Sequence, residues 1–324
     1  MTDGMADQVL DERDQRLVAA LQCDGRLSAR RAGAVLGMSP RTVHRRWQAL
    51  TAEGVCRVIA LPERPDAVGA LLLRIRALGG RLDALTAALV ARPDIPFVDL
   101  SASGDEILAV SWTRPGTRDH LVFRELPATR AVTSVTADTI LHAFAEASDW
   151  RHDVLTEAER TALTPVTTAG HGTSDDIDRD IMAVLESDAR APAAAVAAHT
   201  GHPESTVRRR IARLAATGRL RTHVVVDPRR LGLTIDANVM MRVAPDRLDA
   251  AGRTLAGHPA VHGAFATTGV ANLHAAVWVP DLAHLYQFIT RDLGSLGVDA
   301  VETVIIGQAV KRPGRPVAAR TPGK

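Results

Sequence analysis

Twelve residues of this chain occur twice in one register. Asp14, Leu21, Asp24, Arg26, Gly37, Thr42, Val43, Arg45, Arg46, Leu50, Gly54 and Arg57 return, without a gap, as Asp178, Leu185, Asp188, Arg190, Gly201, Thr206, Val207, Arg209, Arg210, Leu214, Gly218 and Arg221. Chance does not hold a dozen identities at one spacing. The chain is therefore one folding unit, duplicated and fused, and any fold assigned to it must be buildable twice. With 324 residues, 46% of them hydrophobic, there is room for several cores. Aromatics make up only 3%, so those cores must be built from Ala, Leu and Val.

The local patterns inside each copy are helical first. Leu17 and Leu21 form an apolar stripe after Asp11, a plausible N-cap. Ser28 precedes a second helix carrying Ala32, Val35 and Leu36, which Gly37 ends. Ser39-Pro40 starts a third, because Pro suits the first helical position, and Val43, Trp47 and Leu50 then share one face. Gly54 closes that helix, and Val55–Leu61 reads as a short strand, a wing. The second copy repeats the plan through Ile181, Val184 and Leu185, then Pro192, Gly201, and the face Val207, Ile211 and Leu214. Strand-like Leu220–Val226 follows.

Behind each three-helix segment lies a weaker second repeat. Leu71–Ile75 and Ala237–Val243 read as strands. The near-copies Arg81-Leu82-Asp83-Ala84 and Arg247-Leu248-Asp249-Ala250 open helices that Pro93 and Pro259 break. Two strands around a Gly turn come next: Phe97–Leu100 with Ile107–Trp112, and Val261–Ala266 with Leu273–Val279. A helix (about 117–126 and 281–292) and a last strand (about 132–141 and 298–306) complete the order βαββαβ. The expected fold class is α+β: a winged helix-turn-helix followed by a ferredoxin-like βαββαβ domain, present twice. The expected domains are 9–61, 66–144, 175–227 and 233–310. Residues 145–174, with a capping-box signal at Thr156 and Glu159 and a Thr/Gly-rich run, are expected to be a linker. The Pro-rich basic tail 311–324 is expected to be disordered.

Net charge is only +2, yet its distribution is uneven. Residues 26–58 hold seven arginines and one acid, and residues 190–230 hold nine arginines and two acids. Two matching basic segments point to a polyanionic partner for those segments. A helix fits the major groove of DNA and reaches base edges from the exposed face of its first turns. In the first copy that face carries Arg41, Thr42, His44, Arg45 and Gln48; in the second it carries Ser205, Thr206, Arg208, Arg209 and Arg213. Arg46 and Arg210 lie beside the buried face, where either phosphate contact or an internal ion pair with Asp14 or Asp178 would suit them. Arg30 and Arg31 are matched by Ala194 and Ala195, so the two readers differ.

These residues resemble the Lrp/AsnC family, the leucine-responsive and feast/famine transcription regulators. The resemblance rests on Asp14…Leu21…Asp24-Gly25-Arg26, on Leu36-Gly37-Met38-Ser39…Thr42-Val43…Arg45-Arg46…Leu50…Gly54-Val55, on their second-copy partners, and on the βαββαβ segment behind each. It implies double-stranded DNA as one partner. It also implies a small-molecule effector, an amino acid or related metabolite, held at the Gly-containing turn of the sheet domain. The matching turns are Ser103-Gly104-Asp105-Glu106 and Thr268-Gly269-Val270-Ala271-Asn272. The family usually has an acid three positions after the glycine; here Ile107 and Asn272 stand there. The alternative is that both are tight hairpin turns that need Gly. Two sheet domains in one chain are expected to pair as a built-in pseudo-dimer, and such chains to assemble further.

Sirohaem decarboxylases resemble the same architecture and offer the rival reading. Tetrapyrrole chemistry would want His and Arg converging in the sheet-domain cleft, which brings in His258, His262 and His274. No nucleophilic triad, HExxH or phosphate-loop motif occurs, and the resemblance implies no enzyme, cofactor or metal. Cys23 and Cys56 have no metal-ligand spacing and read as small apolar residues in a reducing compartment. The absence of a signal segment and of a long apolar run leads to the expectation of a cytoplasmic protein with no membrane partner.

Overall fold

The computed structural model describes residues 8–61, 69–78, 81–114, 121–126, 129–168 and 174–313. The first copy runs α1 (Glu12–Cys23), α2 (Ala29–Leu36), α3 (Pro40–Ala52), β1 (Cys56–Ala60), β2 (Gly69–Ala77), α4 (Leu82–Val90), β3 (Phe97–Ser101), β4 (Glu106–Thr113) and β5 (Val132–Ala145). After α5 (Glu157–Leu163), the second copy runs α6 (Asp176–Leu185), α7 (Ala193–Thr200), α8 (Glu204–Ala216), β6 (Thr222–Val226), β7 (Ile235–Val243), α9 (Leu248–Ala256), β8 (Val261–Thr267), β9 (Leu273–Val279), α10 (Leu282–Gln287) and β10 (Val298–Lys311). The compact units do not follow the order of the copies. Both three-helix segments fall in one unit, and both βαββαβ segments fall in the other.

In the helical unit, each start signal acts where the sequence places it. Asp11, Ser28 and Ser39 cap α1, α2 and α3 by accepting from the backbone N–H three residues on, and Pro40 occupies the first turn of α3. Gly37 and Gly201 end α2 and α7 at φ 69° and 75°, the left-handed conformation that only glycine adopts without strain. Leu17, Leu21, Val43, Trp47 and Leu50 are buried in one copy, and Ile181, Leu185, Val207, Ile211 and Leu214 in the other.

The strand after each third helix does not stand alone as a wing. β1 and β6 form a two-stranded antiparallel ribbon with each other, with Val58 opposite Val224, Ile59 opposite His223 and Ala60 opposite Thr222. A single strand leaves its backbone groups without partners, and the other copy supplies them.

Residues 145–174 are not a bare linker. The capping box of Thr156 and Glu159 opens α5, and Leu155 and Leu163 are buried. The His152 N–H donates to Gln22 Oε1 (2.8 Å), Arg16 pairs with Glu159, and Arg31 donates to the Ala162 carbonyl (2.7 Å). The Thr168 N–H then donates to the Ala216 carbonyl (2.9 Å), so residues 152–168 strap the first copy to the end of α8. Leu155 and Leu163 need cover and find it, whereas Val166 stays exposed. Residues 169–173 of this segment lie outside the described residues.

The sheet unit is a closed barrel of eight strands in the order β10-β3-β4-β2-β5-β8-β9-β7. Each copy contributes four neighbouring strands in ferredoxin-like order, and the two sets join at β5–β8 and β10–β3. Two clusters of buried side chains pack beneath the helices. One includes Leu73, Ile75, Leu85, Leu89 and Ile107; the other includes Val239, Met241, Leu255, Ala275 and Phe288. Alternate positions of the same strands turn inward and mix apolar residues such as Leu72, Leu108 and Val110 with polar ones such as Arg74, Asp99 and Asn238.

β5 and β10 outrun their expected ends at about 141 and 306. Their far halves pair with the other copy: Ile140 with Thr267 and Ala145 with Ala264, Ile306 with Ser101 and Lys311 with Val98. Lys311 is thus strand rather than tail, while 314–324 lie outside the described residues. The helix expected near 117–126 is described only as a π-helical turn, Leu121–Glu125, because 115–120 lie outside the described residues; that expected at 281–292 divides into α10 and a π-helical turn, Phe288–Asp292.

Candidate functional site

On α3, Arg41, His44 and Arg45 are exposed, and Thr42 is half-buried with its Oγ1 2.8 Å from Ser39 Oγ. On α8, Ser205, Arg208 and Arg209 are exposed and Thr206 is half-buried. Arg208 pairs with Glu204 one turn back, an exposed contact that a phosphate could replace at little cost. Arg41, His44, Arg45 and Arg209 take part in no ion pair among the described residues.

Two of the expected DNA contacts are committed elsewhere. Arg46 donates to Asp11 Oδ2 (2.9 Å) and Asp14 Oδ1 (2.8 Å) and is largely withdrawn from solvent. Arg210 repeats this with Asp175 (2.7 Å) and Asp178 (3.3 Å). Arg213, expected on the reading face, donates to Asp178 Oδ2 at 2.5 Å. Asp178 is fully buried, and a buried carboxylate without countercharge is strongly destabilising, so it holds both arginines. Arg46 is thus withdrawn beside its acids, while Arg213 is tied to Asp178 with its side chain still half exposed. In the first copy Ala49 stands where Arg213 does, and Asp14 is correspondingly less buried.

Arg26 and Arg190 matter more than their place in the repeat disclosed. Arg26 donates to the carbonyls of Ala189 and Ala191, and Arg190 donates to those of Gly25 (2.8 Å) and Leu27 (3.2 Å). Arg190 also lies 4.7 Å above the Trp47 ring. Each copy grips the loop of the other at the same two positions, and burial lowers both guanidinium pKa values. Pairing of identical positions was the signal by which the sequence could have revealed this.

The two Gly turns of the barrel are unlike each other. Gly104 has φ 75° with open space around its Cα. Ser103 Oγ donates to Asp105 Oδ1 (2.5 Å), which holds that carboxyl below its usual range. Gly269, at φ 97°, sits against the Asp138 carboxylate of β5, so closely that a Cβ would collide with it. The Thr268 N–H donates to the Thr139 carbonyl, and its Oγ1 accepts from the Thr139 N–H (2.9 Å). Asn272 is not free to meet an effector: its Oδ1 accepts from the Val243 N–H (2.9 Å) and its Nδ2 donates to the Val243 carbonyl (2.8 Å). It ties the hairpin to the end of β7.

The sequence of each third-helix region, residues 10–51 and 175–215, matches the AsnC-type helix-turn-helix domain, and residues 236–316 match the Lrp/AsnC ligand binding domain. The HTH-type transcriptional regulator PH0140 of Pyrococcus horikoshii is 30% identical over 139 residues, which is 42% of this chain and 88% of that one. The chain belongs to the Lrp/AsnC family. Another relative, the HTH-type transcriptional regulator FL11 of Pyrococcus furiosus, is 29% identical over 137 residues, 42% of this chain and 90% of its own. Relatives of this length correspond to one copy, as duplication of an Lrp/AsnC unit requires. A solved siroheme decarboxylase, NirDL, shares the fold over 93% of both chains with TM-score 0.58 at 14% identity.

The three histidines of the rival reading have separate partners in this family member. His258 faces Asp292 at 3.3 Å, and His262 stacks on Trp278 (3.8 Å between ring centroids) with Asp236 at 3.7 Å. His274 Nε2 lies 3.3 Å from the Ala271 carbonyl, and burial depresses its pKa to about 4. Cys56 is buried, which pushes its thiol up to about 12, in keeping with a small apolar role. No helix among the described residues is long and apolar enough to cross a membrane.

Proposed function

We propose that this regulator binds double-stranded DNA as a ready-made pseudo-dimer, on an operator that is an imperfect inverted repeat, and that a small metabolite bound in the barrel unit modulates it. The observation that carries the reading is the symmetry of the helical unit. β1 and β6 pair so that Ile59 meets His223, its own counterpart in the repeat, and Arg26 and Arg190 exchange identical grips. Two third helices related by such an axis suit two half-sites of opposite direction. Arg41, Thr42, His44 and Arg45 would contact one half-site, and Ser205, Thr206, Arg208 and Arg209 the other. Because those sets differ, the half-sites should differ. The arginine pairs can read guanine, worth about 1–3 kcal/mol each when bidentate, or neutralise phosphates. Arg46 and Arg213 serve the fold.

The effector is an amino acid or related metabolite, recognised near Ser103, Gly104 and Asp105 or near Thr268 and Gly269. The chain works without catalysis; the separate partners of His258, His262 and His274 support this against a tetrapyrrole enzyme. Selection of bound fragments from the source genome tests the reading. Enrichment of one motif with unequal, oppositely directed halves is expected. Uniform recovery of unrelated fragments, or turnover of sirohaem by the purified chain, would overturn it.

A further inference from the structure

The two helical copies differ in what covers them. In the first copy α5 packs on both α1 and α2. In α1, Ala19 is 1% exposed, Ala20 is fully buried and Gln22 is 9% exposed. Gln15 and Arg16 are half-buried on the same side: Gln15 Oε1 lies 3.0 Å from His152 Nε2, and Arg16 pairs with Glu159. The repeat puts Arg179, Asp180, Ala183, Val184 and Glu186 at these positions in the second copy. All but Val184 are exposed there, as are Ala194, Ala195 and Ala198 of α7. Among the described residues nothing takes the place of α5 on that face. Glu186 has no ion pair or side-chain hydrogen bond among the described residues, and partial desolvation alone raises its pKa.

Each contact that α5 and its flanks make on the first copy becomes a requirement on what covers the second. Arg16 is replaced by Asp180, which reverses a charge, so the place of Glu159 calls for a cation. Gln22, whose side chain accepts the His152 N–H, is replaced by the unpaired Glu186, so that place calls for a donor or a second cation. Ala183 and Val184 keep the apolar floor of Ala19 and Ala20, and small side chains let a helix approach closely. Apolar anchors spaced like Leu155 and Leu163 therefore still suit it. We propose that the bare α6–α7 face docks a short, cationic, amphipathic helix of a partner protein, seated as α5 is seated on the first copy. The site uses none of the residues assigned above to operator or effector, so it stands apart from both readings.

The test is fluorescence anisotropy of two labelled peptides titrated with the full-length chain. Both peptides have the sequence of residues 152–168, one unaltered and one carrying Glu159→Lys. The Glu159→Lys peptide is expected to bind at least tenfold more tightly than the unaltered one. Ala183→Arg in the chain, a change at an exposed helical position, should weaken that peptide at least tenfold while thermal unfolding stays the same. Asp180→Lys in the chain should reverse the preference, so that the unaltered peptide binds the more tightly. Equal binding of both peptides, binding untouched by Ala183→Arg, or silence from both would overturn the site. Sedimentation supplies a further check: self-association of the chain that Ala183→Arg abolishes would give the face to a second copy and overturn the partner helix. So would peptide binding by a chain ended after Pro313 with none by the full chain, since the face would then belong to the chain's own tail.

Discussion

Ile59 lies opposite His223 in the β1–β6 ribbon, and the two residues hold the same position in the two copies. The pseudo-twofold axis of the helical unit passes between them, with an isoleucine on one side and an imidazole on the other. The symmetry is that of the backbone, and the side chains are free to depart from it. The side chains depart again at Ala49 against Arg213, and like residues differ in their surroundings at Asp14 against Asp178 and at Gly104 against Gly269.

Arg208→Ala with Arg209→Ala should weaken operator binding by about tenfold or more, the scale of one lost guanine contact, and lower the salt slope. Arg213→Ala should leave operator affinity near wild type and reduce unfolding free energy instead, because Arg213 neutralises buried Asp178. Anisotropy at several salt concentrations and urea unfolding separate the two. The same loss of affinity in both variants would show that Arg213 faces DNA.

Arg26→Ala removes a half-buried guanidinium from two carbonyls of the other copy. A loss of about 1–3 kcal/mol in urea unfolding is expected, the range for hydrogen bonds to charged groups. Operator affinity should fall too, although Arg26 is remote from the reading face, because the two helices lose their common frame. Unchanged stability would mean that the reciprocal grip contributes nothing.

Leu163 is fully buried under α1 and α2 although it sits in the segment between the copies. Leu163→Ala should cost about 2–5 kcal/mol, as for a core leucine, and a true linker residue would cost almost nothing. Thermal unfolding decides between them.

His274 has its pKa lowered to about 4, chiefly by burial, so it is neutral in the folded chain and titrates near 6.5 when unfolded. Between those values the unfolded chain binds the proton that the folded chain refuses. Stability should therefore fall as pH drops from about 6.5 towards 4, by on the order of 1–3 kcal/mol from this group. His274→Gln should flatten that part of the stability–pH curve. An unaltered slope would place the depressed pKa elsewhere.

What was legible in the sequence was local. Asp11, Ser28, Ser39-Pro40 and Gly37 each act on their own neighbours, and all four do in the structure what their types dictate. Strand positions such as Leu71–Ile75 and Leu273–Val279 announced themselves by composition and turn spacing. The pairing of the two sheet domains was expected, and what escaped was its detail: β1 with β6, the far ends of β5 and β10, and Asp138 beneath Gly269. No local pattern encodes a partner more than a hundred residues away. The Arg46 alternatives were visible, since Asp14 repeats with it, but only geometry showed that Asp11 joins the pair. Residues 152–168 misled because five threonines outnumber the two leucines that dock them.

The barrel closes through β10 and β3, and Ile306 meets Ser101 across about two hundred residues of chain. That seam fixes an order of events during synthesis. The first copy leaves the ribosome with β3 and β5 exposed as open edges; β5 waits for β8 in the middle of the second copy, and β3 waits for β10, the last strand. A nascent chain interrupted before β8 carries two sticky borders and no mate. Late ring closure of this kind makes folding slow relative to domains built from near neighbours, and it ties the survival of the first half to completion of the last strand.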